Sequence, residues 1–410
     1  MSAVQHRPVA QPAGYARVFA VPEFRAVFAA HTLSMLGVIV SEIALSVLVY
    51  DLTGSPLLSA LAFALGFLPY LVGGTLLSGV ADRFPARRVL VVCDLVCAGC
   101  VALMALPGAD IAVLLALRCG LAVVSPVFAG TRMATLADIL GDGDLFVLGR
   151  SLLRIVAQSS LLVGYGLGGL LLTVVAPRHA LLITVGTFLA SAALLRLGTR
   201  RRPARARQAG DPQGARQVFA DRRVLVLLLL SWVPPMFSVA PEALAAPYAD
   251  ELGVGSTGLG LLMCALPVGT VAGEVFVGSR LRPVTRERIA LPLVCLTLLP
   301  YLGYALHPGL PAALLLLLLS GAGSAYTLGL DQWFVRDVPQ ELRGRAMTVL
   351  SAGLMTIQGV GMALAGAAAE AVGVTATVAG VGVLGTVACC VLAVVVRRTE
   401  APGDRKPRQS

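Results

Sequence analysis

Charge is scarce in this 410-residue chain: Asp, Glu, Lys and Arg make up 13% of it, and Lys406 is its single lysine. Soluble domains carry about 25% charged residues, so a fully water-exposed globular fold is excluded. No G-x-x-x-x-G-K-[ST] phosphate loop occurs, which excludes ATP as a direct energy source. No H-E-x-x-H or G-x-S-x-G motif occurs, so a membrane enzyme has no visible nucleophile or metal set. The eight cysteines (Cys93, Cys97, Cys100, Cys119, Cys264, Cys295, Cys389 and Cys390) all lie in apolar segments, without disulfide or zinc spacing. They read as small buried hydrophobes. No catalytic residue, metal or cofactor is expected. The polar start, MSAVQHRPVAQPAGYARVF, lacks the pattern of a cleavable signal peptide.

What the chain has is grease. Hydrophobic residues make up 57%, and apolar segments near the ~20 residues a spanning helix needs recur along its length. Lipid offers no hydrogen bonds, so each span must be helical. The expected fold is an all-α membrane protein with twelve transmembrane helices in two pseudo-symmetric six-helix halves. The spans lie near 24–50, 57–80, 89–106, 111–132, 151–175, 180–197, 223–246, 257–279, 289–306, 311–334, 346–372 and 374–396. They divide the chain into an N-terminal tail (1–23), a first half (24–197), a basic linker (198–222), a second half (223–396) and a C-terminal tail (397–410).

The net charge of +10 marks topology and not nucleic-acid binding. With the N-terminus inside, every Lys and Arg except Arg118, within span four, and Arg178, in an outer turn, falls on the inner side. Cytoplasmic loops collect basic residues, so both termini are expected in the cytoplasm. The stretch Arg196–Arg223 holds nine arginines; it reads as a solvated linker, attracted to anionic lipid heads.

The halves echo each other. SEIALSVLVYDLTGS (41–55) aligns with PEALAAPYADELGVGS (241–256), matching Glu42 to Glu242, and Pro69 matches Pro267 with a basic loop after each. Such internal repeats are typical of transporters built from related halves. The loop SGVADRFPARRVL between spans two and three resembles the major facilitator superfamily signature G-x-x-x-D-R-x-G-R-R/K, and VPQELRGRAM before span eleven fits the same family. ALSVLVYDLTGSPLLSAL, PEALAAPYA and PQELRGRA are similar to twelve-span drug:proton antiporters of the macrolide-efflux and siderophore-export type. The antiporter motif G-P-x-x-G-G on span five is GYGLGG here, with Tyr165 in place of proline.

That resemblance implies a major facilitator fold in a bacterial cytoplasmic membrane, acting as a monomer with protons and a hydrophobic or amphiphilic small molecule as partners. Proton-coupled export by alternating access is the leading expectation. A proton-coupled importer or facilitator, and a non-transporting receptor or scaffold, are the alternatives. The resemblance also implies a latch: Asp82 meets the positive N-terminal end of span eleven, with Arg83, Arg87, Arg88, Arg343 and Arg345 in the surrounding contacts. It implies a cavity lined by spans one, four, seven and ten, helped by five and eleven.

The polar residues within spans agree with that cavity. A charge at mid-bilayer costs roughly 2.5–3.5 kcal/mol on insertion scales, so each is a candidate. Glu42, Arg118, Glu242 and Glu274 are the proton-coupling candidates. His31 and Ser34 share a face with Glu42, as Ser238 does with Glu242. With Arg154, Gln158, Tyr165, Ser324, Thr327 and Gln358 they make up the expected cavity lining. Asp94 and Asp331 read as caps near span ends, and the prolines of span seven as a bend.

Overall fold

Helices dominate because apolar segments in lipid must close their own backbone hydrogen bonds. The computed structural model describes residues 15–69, 83–141, 144–202, 222–338 and 340–399, and these are helices and short turns without a strand. Ten helices among the described residues are long and apolar enough to cross a membrane; they coincide with expected spans one and four to twelve. Span two is seen as Pro56–Phe67, where description stops two residues later. Span three is the 19-residue helix Ala86–Met104, whose Arg87, Arg88 and Asp94 make it less apolar than the others.

Local chemistry sets the boundaries. Span one runs Pro22–Thr53 and ends at Gly54, whose φ of 65° lets its N–H reach the Tyr50 carbonyl. Ser55 then starts span two, its hydroxyl accepting from the Leu58 N–H at 3.2 Å with Pro56 in the first turn. Asp110 caps span four (Ile111–Leu140) through the Ala112 N–H at 3.1 Å.

Two spans expected as continuous helices are interrupted. Span seven is Arg222–Ser238, Ala240–Ala243 and Ala245–Glu251, so its prolines break the helix where a bend was expected. Proline lacks the N–H and its ring clashes with the carbonyl four residues back. The Ser238 carbonyl, left over at the break, accepts from the Tyr301 hydroxyl at 3.0 Å. Span ten divides into Leu310–Gly323 and Tyr326–Asp337. Span nine finishes as a 3-10 turn, Leu299–Leu306, after Pro283–Thr297.

The first six segments pack mainly on one another, as do the last six, and the two groups meet along spans two and eleven and along spans five and eight. One apolar cluster crosses that boundary: Ile39, Ile43, Ala60, Phe63 and Ala64 join buried residues of the second half. Where spans five and eight cross, Gly169 and Gly260 put backbone against backbone; a Cβ on Gly169 would lie 2.5 Å from the Gly260 Cα. Large apolar side chains such as Leu170, Val275 and Leu384 are exposed on the outside of the bundle, the surface expected for acyl chains.

Candidate functional site

Four polar side chains converge where the halves meet. Glu42 of span one forms an ion pair with Arg118 of span four, and both side chains are well buried, 13% and 5% exposed. Arg118 also donates from Nε to the Ala62 carbonyl of span two at 3.1 Å. Gly66 makes room for this guanidinium, since a Cβ there would collide with it. Across the boundary, the Tyr165 hydroxyl of span five donates to the Glu242 carboxylate in the broken part of span seven. Glu42 is near enough to interact electrostatically with both Tyr165 and Glu242. Glu242 and Ser238 also line a cleft of about 10 Å³, room for roughly one water. One arginine, two carboxylates and a phenol, drawn from both groups of helices, can exchange a proton among defined partners.

The break in span seven positions Glu242. It lies in the short Ala240–Ala243 turn, away from a regular helix face. The tyrosine that departs from the antiporter pattern thus has a specific partner.

A second network lies within the first half. His31 bonds through its Nδ1 to Arg132, and its Nε2 lies 3.3 Å from the Leu153 carbonyl. Arg132 stacks over Phe128 at 4.1 Å. Asp94 accepts from the Ser191 hydroxyl at 2.6 Å and from Ser34. Asp94 is 1% exposed, so it is a buried link between spans one, three and six and not the end cap expected. Arg132 did not stand out in the sequence because it sits at the inner end of a span, where arginine reads as a topology mark. Its spacing of fourteen residues from Arg118, about four helical turns, was the available signal.

The remaining candidates are dispersed. The Thr327 hydroxyl reaches Glu274 at 3.4 Å, within the second half. The Ser238 hydroxyl bonds to the Pro235 carbonyl, Ser324 closes the first part of span ten, and Gln358 is half-buried on span eleven. Arg83 and Arg88 are exposed and Arg87 is half-buried. Asp82 lies outside the described residues, as do the side chains of Arg154, Gln158, Arg343 and Arg345.

At the end of the bundle away from the chain termini, a clasp not expected from the sequence joins the halves. Glu370, at the close of span eleven, accepts from the Ser55 hydroxyl at 2.8 Å and the Leu57 N–H at 3.2 Å. A carboxylate so placed meets the positive end of span two. Along the other seam, between spans five and eight, the Ser256 hydroxyl bonds to the Leu172 carbonyl at 3.3 Å and the Cys264 thiol to the Leu162 carbonyl at 3.4 Å.

Two groups of membrane-spanning helices meeting at a buried charged centre are the architecture of a membrane transporter, and the family match assigns the chain to that class rather than to the enzymes. The Major Facilitator Superfamily profile matches residues 27–324 and 236–410, and the chain belongs to that family. It is 27% identical over 348 residues to the multidrug efflux pump Tap of Mycolicibacterium fortuitum, covering 80% of this chain and 85% of that protein. Among solved structures, a POT family transporter in complex with 5-aminolevulinic acid superposes with a TM-score of 0.75 at 9% identity, covering 94% of this chain and 100% of the other. A bacterial homologue of the human lysosomal transporter Spinster, inward-facing and occupied, gives 0.71 at 16% identity, covering 94% and 98%. These likenesses are of fold.

Proposed function

We propose that this transporter exports a hydrophobic or amphiphilic small molecule across a bacterial cytoplasmic membrane in exchange for protons, with both termini in the cytoplasm. The observation that carries the reading is the buried Glu42–Arg118 pair beside the Tyr165–Glu242 bond, at the boundary between the halves. A proton on Glu42 cancels its attraction for Arg118, and a proton on Glu242 alters its bond to Tyr165. The second event changes a bond that joins the halves and the first changes the packing of spans one and four beside it, as coupling of proton to substrate requires. The similarity to a multidrug efflux pump supports outward transport of a drug-like compound.

The test uses inside-out membrane vesicles with an acidic lumen and a panel of antibiotics and siderophores. Export by proton exchange gives lumenal accumulation that an uncoupler abolishes. Accumulation only in right-side-out vesicles points to an importer, equilibration indifferent to the uncoupler to a facilitator, and binding without flux to a receptor.

Alternating access requires the Ser55–Glu370 clasp to open. Removing an exposed charged acceptor of two hydrogen bonds should cost about 1 kcal/mol, roughly a fivefold change in population. Glu370→Ala is therefore expected to raise the fraction open at that end about fivefold. Spin-label distances between the far ends of spans two and eleven measure it, and an unchanged distribution removes the clasp from the cycle.

A further inference from the structure

We propose that the ends of spans three and six nearest the chain termini bind the phosphate headgroup of an anionic phospholipid. A cavity of about 450 Å³ opens there, lined by Arg87, Arg88, Arg196 and Arg201 over Val91 and Val92. The four arginines come from two separate segments: Arg87 and Arg88 from the first turn of span three, Arg196 and Arg201 from the last turn of span six and the chain beyond it. Among the described residues, no carboxylate pairs with any of them.

The arrangement is held by contacts that leave the cavity free. Arg87 donates to the Thr199 carbonyl at 3.1 Å, tying the start of span three to the end of span six. On either side of Arg201, the Arg200 N–H and the Arg202 guanidinium bond to Glu23, the latter at 2.5 and 2.9 Å. The Glu23 bond holds the Arg202 guanidinium above its ordinary pKa. Arg201 is thereby fixed between two anchored neighbours while its own side chain lines the cavity. Arg88 lies 5.7 Å from the exposed Phe84 ring.

Four guanidiniums with no carboxylate partner among the described residues call for an anion, and their planar forks match phosphate oxygens in pairs. The floor selects the source. Val92, like Leu95 and Val96 further along span three, is exposed, so the cavity continues into the surface expected to meet acyl chains. A free phosphate leaves that floor bare, whereas a glycerophospholipid covers both parts. Basic pockets between spanning helices near a membrane surface bind anionic headgroups in this way.

The full-length protein, purified in detergent, is mixed with dioleoylphosphatidylglycerol or dioleoylphosphatidylcholine, and bound lipid is counted by native mass spectrometry alongside thermal melting. The expected result is about fivefold preferential retention of phosphatidylglycerol, with a raised melting temperature. Arg196→Gln with Arg201→Gln should bring the two lipids near parity while leaving melting in phosphatidylcholine unchanged, and the Lys–Lys counterpart should keep most of the preference. Arg280→Gln with Arg282→Gln, equal in charge but remote, should leave the preference intact. The proposal is overturned if both Gln pairs lower the preference equally, which indicates diffuse charge attraction. It is equally overturned if inorganic phosphate alone gives the full thermal shift, or if the wild type shows no preference.

Discussion

Arg118→Ala is expected to cut proton-driven accumulation and to destabilise the protein at the same time. The substitution leaves the Glu42 carboxylate buried without its partner. Breaking a buried ion pair from one side costs about 3–5 kcal/mol, while replacing both members by apolar groups is often neutral. The double variant Glu42→Leu with Arg118→Met should therefore recover thermal stability and still accumulate far less substrate. That split separates a role in the cycle from a role in the fold. Coupling between sites is typically worth ~1–3 kcal/mol, so driven accumulation should fall about 5–150-fold in both variants. Wild-type accumulation by the stable double variant would falsify the assignment of this pair to proton coupling.

Glu242→Gln should uncouple transport without disabling it. The amide keeps an oxygen for the Tyr165 hydroxyl but can no longer gain and lose a proton. Gradient-driven accumulation is expected to drop by a similar 5–150-fold, while exchange of labelled for unlabelled substrate across vesicles without a gradient continues. Tyr165→Phe should reduce driven flux less, because the carboxylate remains. If Glu242→Gln accumulates substrate normally, the proton travels through Glu42 alone; if exchange is also lost, Glu242 contacts the cargo.

The sequence carried a good deal of this arrangement. Apolar runs located the spans because lipid enforces helix, and the positions of Glu42, Arg118, Tyr165 and Glu242 within them were unusual enough to single out. Helical spacing, however, reports which residues share a face. It does not report depth or partner, so the pairings Glu42 with Arg118 and Tyr165 with Glu242 needed three dimensions. Tyr165 was visible as a missing proline and as a polar residue of span five, but not as the partner of Glu242. Arg132 was hidden by its place at an inner span end, and Asp94 read as a cap because its partner Ser191 lies 97 positions away. Glu370 escaped notice at the far end because a carboxylate beside water carries no signal until a second helix start is found opposite it. The prolines of span seven announce its interruption as a bend, whereas the break in span ten, between Gly323 and Tyr326, has no proline to announce it.

Gly169 and Gly260 decide how tightly the far end can shut. Their backbones touch there because neither residue has a side chain, and even one methyl on Gly169 would meet the Gly260 Cα at 2.5 Å. Such a methyl is a doorstop: it obstructs the close contact of spans five and eight. On the export proposed above, Gly169→Ala is expected to hold the two backbones apart and let cargo leak back, an effect of two atoms that the chain omits.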